Sequence, residues 1–250
     1  MLNTYRDIRA FDLMRTPSSY KPLIEGVWLT QTDQYIHLAL EQPRQVLSSA
    51  VLGGGLAWAD HFVNLRVNPH DYDDSDETTP AQTLKSFCQR QGWQGNLVGM
   101  MTAASMRSMR VKQVVLQGVS LCVLLTSGME NARRAGDKAD HHPVFEPVTE
   151  VGTINLAIIS SALFTPAAMV EAVMIATEAK AAALQERTVL SPVSQRIATG
   201  TGTDAIAFIN AVNDSGHRAQ PVVEYCGKHT LLGERLAVAV MEALADSMDY

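Results

Sequence analysis

The sequence predicts an α/β or α+β fold: a single domain over residues 1–250, with a central mixed β-sheet and flanking helices. Three observations lead there. Short apolar runs such as Val114-Val115-Leu116, Cys122–Leu125, Ile154–Ser160 and Ile206–Ile209 have strand length and composition. Three helix-like stretches fall among them without regular strand–helix alternation, which counts against a barrel or a simple doubly wound fold. A chain of 250 residues that is 46% hydrophobic can bury a substantial core.

Taken in order, Ile24–Leu29 and Tyr35–Leu40 flank a polar turn and read as a hairpin. Val46–Leu52 reads as a third strand ending at Gly53-Gly54-Gly55. Asp60–Val67 fits a helix through Phe62 and Leu65, and equally a strand through its alternation. Asp71–Glu77 is the densest charge run, but lacks the oxygen spacing, central glycine and distal glutamate of a calcium loop, so it reads as a solvated loop. Thr79 or Pro80 starts a helix to about Gln91 that buries Leu84, Phe87 and Cys88. Leu97–Met101 is a strand, and Cys122–Leu125 leads the chain to Thr126-Ser127-Gly128. Lys138–Glu150 is a polar linker containing His141 and His142. Thr165-Pro166 is a helix start, because threonine caps the first amides and proline fits the first turn. Ala167–Glu186 follows as the strongest helix, with Met169, Val173 and Ala176 on its apolar face. Glu171 and Glu178 share a solvent-facing side that Lys180 does not. A final helix starts near Leu231, with Leu232, Leu236, Val240 and Leu244 along one side.

The net charge of -6 gives no electrostatic case for nucleic-acid or anionic-membrane binding. Cys88, Cys122 and Cys226 lie far apart, as buried apolar groups in a reducing cytoplasm would. The first residues show no apolar signal core, and no apolar stretch is long enough to span a bilayer. The histidines and cysteines show no compact ligand spacing, so no metal is expected.

Function is concentrated in four polar stretches set in apolar sequence: Gly53-Gly54-Gly55 with Asp60–Asn64, Thr126–Asp137, Gly152-Thr153-Ile154-Asn155, and Ala198–Ala205. Glycine lets backbone come close to a ligand, and small hydroxyls, amides and carboxylates supply donors and acceptors without bulk. In the last stretch Gly200, Thr201 and Gly202 offer an anion or oxyanion nest, with Asp204 adding a carboxylate. A tight turn whose threonines cap one another explains the same residues. No lysine follows as in a Walker loop, and a strand rather than a helix follows, which excludes a dinucleotide fingerprint. Asn131 and Arg134 share a face if Glu130–Arg134 is helical, and with Asp137 they suit an amide or phosphate, or an ion-paired turn. Asp60 and Asn64 converge on either a helix or a strand. His61 is a candidate general base, although a lone histidine is more often a structural or surface residue. His229 stands just before the last helix, where a ligand meets its amino terminus.

In their order, these stretches resemble the adenosylcobinamide amidohydrolase family. The resemblance is strongest over residues 46–250. It rests on Thr126-Ser127-Gly128 with Asn131-Ala132 and Gly136-Asp137, on Gly152–Asn155, on Glu178-Ala179-Lys180, and on Ala198–Thr201 with Thr203-Asp204-Ala205. Leu47–Val51 with Gly54, Gly55 and Asn64 adds an upstream match, and Gly227–Thr230 with Gly233 a downstream one. Where family members commonly carry Asn-Gly-Gly, this chain has Gly53-Gly54-Gly55. Membership implies a cytoplasmic hydrolase of corrinoid salvage, with a corrinoid as substrate and no cofactor, that yields adenosylcobyric acid and 1-amino-2-propanol. The chemistry allows Asp204 or His61 to activate water, or Thr203 to attack directly. Substrate contacts are then expected from Gly54, Gly55, Asp60, Asn64, Asn131, Arg134, Asp137, Asn155, Gly200, Thr201, Gly202 and His229. A non-catalytic corrinoid-binding or carrier protein, or a hydrolase of another secondary amide, is the alternative.

Overall fold

One strand organises the sheet. β3 (Tyr35–Ser48) runs for 14 residues and is paired on both edges in each of its halves. The structure, a computed structural model, describes residues 20–67, 79–139, 153–212 and 222–250. The acidic run 71–77, the histidine pair 141–142 and Gly152 lie outside them. On one edge β3 pairs with β4 (Gly55–Arg66). On the other, its first half pairs with β2 (Val27–Gln31), and its second half with β12 (Ala205–Ile209). β1 (Lys21–Ile24) continues beyond β2. The two expected strands Tyr35–Leu40 and Val46–Leu52 are thus one, ending at Ser48. A bulge between Ala39 and Arg44 absorbs the polar Glu41-Gln42-Pro43 without breaking the pairing. Asp60–Val67, open between helix and strand, is mostly strand.

Arg44 plugs the fork between β2 and β12. Its guanidinium donates to the carbonyls of Glu25, Ser160 and Asn210 at 2.6, 3.1 and 3.4 Å. Past β12 the sheet continues through β9 (Ile154–Ser160), β7 (Val119–Ser127) and β6 (Arg110–Leu116). Past β4 it ends at β5 (Leu97–Thr102). β4–β5 and β9–β12 are parallel and the other pairs antiparallel, so the sheet is mixed as expected.

The sheet curls until its two limbs face each other. Phe62 and Met100 of one limb meet Leu124, Ile159 and Ile209 of the other in a shared core. Outside the first limb, α1 (Pro80–Arg90) buries Leu84, Phe87 and Cys88 against Val63 and Leu65. Outside the second lie α2 (Pro166–Glu186) and α3 (Leu231–Met248), over Val123, Ile158 and Phe208. Fully burying a side chain such as Phe62 or Leu124 contributes about 1.5–3 kcal/mol. Thr79, Thr165 and Thr230 cap the three helices by accepting the backbone N–H three residues on. All three cysteines are free and buried, and burial pushes their thiols up to about 11 for Cys88 and Cys226 and about 12 for Cys122. Among the described residues no helix is long and apolar enough to cross a membrane.

Candidate active site

Three of the four polar stretches meet where β7 ends and β9 and β12 begin. Two short strands bring them together: β8 (Ala132–Arg133) pairs antiparallel with β11 (Gly200–Thr201). The Thr199 and Gly202 amides donate to the Arg133 and Asn131 carbonyls at 2.9 and 3.0 Å. The two blocks therefore lie side by side although almost seventy residues separate them. Glu130–Arg134 is not helical; it is a turn followed by β8.

Asp204 is the hub. Its Oδ1 accepts from the Ile154 and Thr201 amides, both at 3.1 Å, and from the Thr201 hydroxyl at 2.5 Å. Its Oδ2 receives Lys180 Nζ from α2. These four partners use the carboxylate's accepting positions. Asp204 is a held anion that fixes the loop to β9 and pins an ammonium group. Lys180 and Asp204 keep only 13% and 16% of their side-chain surface exposed, so this pair is largely shielded from water. Gly200 lies against it: a Cβ there would overlap Asp204 Oδ2. The requirement for glycine is thus steric.

Beside the pair, the hydroxyls of Thr203 and Thr153 are 2.5 Å apart, and Thr153 also reaches the Thr203 carbonyl at 2.7 Å. Asn131 is buried, and its Nδ2 has no acceptor. Arg134 and Asp137 brace the loop from behind. Arg134 donates to the Ile197 carbonyl at 2.8 Å, and Asp137 accepts from the Arg134 amide and the Ser191 hydroxyl. The Ser191 hydroxyl, with help from Ser194, holds the Asp137 carboxyl below its usual range.

Asn155 and Asn64 form a second polar knot, between the limbs. Asn155 Nδ2 donates to Asn64 Oδ1 at 2.8 Å and to the Met101 carbonyl at 3.0 Å. Asn64 in turn donates to Thr126 Oγ1 at 3.0 Å. Asn155 Oδ1 is buried without a partner. Ile154, next in sequence, faces the α2–α3 layer, so the knot and Asp204 lie on opposite sides of the same strand end.

The other expected residues are elsewhere. Asp60 accepts the Asn96 amide at 2.9 Å and anchors the approach to β5 rather than joining Asn64. His61 faces the α1 side of β4, opposite Asn64, among aromatic rings. Its Nε2 meets the Gln94 carbonyl at 3.0 Å, and its Nδ1 meets His37 Nε2 at 3.1 Å. Tyr20 closes the row on His37 Nδ1 at 2.7 Å, and Trp93 stacks on His37. Because a carbonyl only accepts, His61 carries its proton on Nε2, His37 carries its own on Nε2, and Tyr20 donates. Burial lowers the pKa of His61, and lowers that of His37 to about 3 with added repulsion from His61. Gly54 and Gly55 form the β3–β4 turn. At Gly55 φ is +87°, and at Gly54 a Cβ would overlap the Ala50 carbonyl. His229 is exposed in the turn that caps α3, whose bonds run to α2: Cys226 N donates to Glu171 at 2.6 Å, and Lys228 pairs with Glu178.

Sequence reasoning placed Lys180 on its own side of the helix and gave it no role. The signal was its helical phase: four residues after buried Ala176, it lies within one turn of the inward stripe. A lysine there needs a buried anion.

The family model described as adenosylcobinamide amidohydrolase matches residues 22–250. The chain belongs to the adenosylcobinamide amidohydrolase family, a family of hydrolases. A Methanosarcina mazei protein named adenosylcobinamide amidohydrolase is 26% identical over 204 residues, covering 80% of this chain and 88% of that protein. An uncharacterised protein of Methanocaldococcus jannaschii is 31% identical over 161 residues, covering 59% of this chain and 60% of its own length. A solved protein from Pyrococcus horikoshii overlaps 86% of this chain and 76% of its own, with a TM-score of 0.42 and 10% identity. That likeness is too loose to bear on the chemistry.

Proposed function

We propose that the protein hydrolyses the amide joining the corrin side chain of adenosylcobinamide to its aminopropanol arm, in cytoplasmic corrinoid salvage. Water adds to the carbonyl carbon, the C–N bond breaks, and the amine leaves with a proton. The products are adenosylcobyric acid and 1-amino-2-propanol. The observation that carries this reading is the meeting of the Asn131 block and the Gly200–Asp204 loop around one shielded Lys180–Asp204 pair, in a chain of this family. Asp204 is too fully engaged to take a proton itself, so its role is to hold Lys180 at the site. Lys180 supplies positive charge where the carbonyl becomes an oxyanion. Thr203 is the alternative nucleophile. Its peptide bond to Gly202 leaves it without the free amine that amino-terminal threonine hydrolases use, which favours water. The test is incubation of the purified protein with adenosylcobinamide, with release of 1-amino-2-propanol expected. Stoichiometric corrinoid binding without product over long incubation would sink the enzyme reading and leave a carrier.

A further inference from the structure

The amides of the Gly200–Gly202 loop look like an oxyanion nest, yet they are spent internally. Thr201 N–H goes to Asp204, and Gly202 N–H goes to the Asn131 carbonyl. The loop nevertheless borders one unspent donor. Asn131 Nδ2 is buried, in a residue only 6% exposed, and has no acceptor. A buried donor left unpaired costs about 1–3 kcal/mol, so its retention calls for a reason. A second observation is independent of that count. Asn131 Nδ2 occupies the space where a side chain at Gly202 would begin, so that a Cβ there would overlap it. Gly202, itself exposed, packs against the donor. Gly202 directly precedes Thr203 and lies two residues before Asp204, so the donor sits against the loop that carries both.

We propose that Asn131 is a catalytic residue whose side-chain Nδ2 donates a hydrogen bond to the carbonyl oxygen of the scissile amide and holds the oxyanion formed when the carbonyl carbon is attacked. This rests on the amidohydrolase reading given above and assigns the donor within it. A neutral amide suits the task. It donates without competing with Lys180 for Asp204. The Asn131 backbone carbonyl that receives Gly202 N–H is untouched by side-chain replacement, so the β8–β11 pairing survives substitution.

The experiment compares kcat and KM for adenosylcobinamide in the wild-type protein and in Asn131→Ala, Asn131→Asp and Gly202→Ala, with thermal melts to confirm folding. Loss of one oxyanion donor lowers kcat by about 10²–10³-fold. The expected result is a fall of that order in Asn131→Ala, with KM moving less than about threefold. Gly202→Ala keeps the asparagine but pushes its amide aside, and should lower kcat in the same sense. Asn131→Asp loses the donor when ionised and regains an O–H when protonated, so its kcat relative to wild type should rise as pH falls through the carboxyl range. A purely structural asparagine would not give that profile. Wild-type turnover with undiminished kcat in folded Asn131→Ala, or an effect confined to KM, overturns the assignment and leaves the amidohydrolase reading standing. Absence of wild-type turnover removes that reading and the assignment with it. Unfolding of both Asn131→Ala and Gly202→Ala makes the amide structural and also overturns it.

Discussion

Removing either half of the Lys180–Asp204 pair should have unequal consequences, and the inequality follows from the partners each group keeps. Take Lys180→Met. Asp204 loses one partner and keeps the Ile154 amide, the Thr201 amide and the Thr201 hydroxyl. Charged hydrogen bonds contribute about 1.5–3 kcal/mol each, so the remaining three still support the ion, and the loss should be near the lower end of that range. Take Asp204→Asn instead. The new amide oxygen can still accept from Ile154 and Thr201, but Lys180, 13% exposed, loses its carboxylate. Stranding a buried charge costs about 3–5 kcal/mol. The residual exposure gives Lys180 some water, so the lower end of that range, about 3 kcal/mol, is expected. The double variant has no stranded charge and should be no less stable than Asp204→Asn alone, giving a coupling of about 1–2 kcal/mol. Urea unfolding of the four proteins measures this, with turnover of adenosylcobinamide alongside. Both single variants should lose turnover, because both remove the positioned ammonium. A Lys180→Met protein less stable than Asp204→Asn, or strictly additive effects, would refute the reasoning.

Two further expectations concern protons and metals. His37 is neutral in the fold, with a pKa of about 3 against an ordinary 6.5, so below pH 6.5 the unfolded chain binds more protons and stability falls as pH falls. The slope approaches about 1.4 kcal/mol per pH unit, or about 2 kcal/mol between pH 7 and pH 5. Urea midpoints at the two pH values should show this in the wild type and much less in His37→Gln; equal pH dependence in both would discard it. Turnover should survive chelation, because no group of three or more histidine, cysteine or carboxylate side chains among the described residues is placed to hold a metal. A loss restored by one metal would reverse that expectation.

Local chemistry made the helices legible. A threonine cap followed by proline or an apolar run fixes each start within a few bonds, which is why Thr79-Pro80 and Thr165-Pro166 mark α1 and α2. β3 was harder, because Glu41-Gln42-Pro43 looks like a break until it is seen to bulge out of a strand that stays paired with β4 on either side. The candidate site divided in the same way. That the Asn131 and Gly200 blocks are dense in small polar groups could be read from their composition, but their pairing is a contact across almost seventy residues. Asp60 and Asn64 fit one face on either regular geometry, yet their partners lie apart: the Asn96 amide for one, Thr126 and Asn155 for the other. His61 sits one residue from Asp60, but its environment is set by Trp93 and His37, which no local pattern announces.

The position of β12 has a consequence for how the molecule comes into being. Among the described residues, that five-residue strand alone joins β1–β5 to β6, β7 and β9 in the hydrogen-bonded sheet. Most of the earlier strands can zip together with near neighbours as they emerge, at small loop-closure entropy. β12 must wait for nearly the whole chain and then enter between β3 and β9, so its two flanking edges stand open until it arrives. Asp204 is the residue just before that strand. The carboxylate at the candidate site is therefore delivered by the same late event that fuses the two halves, and a half-assembled chain lacks the Lys180–Asp204 pair.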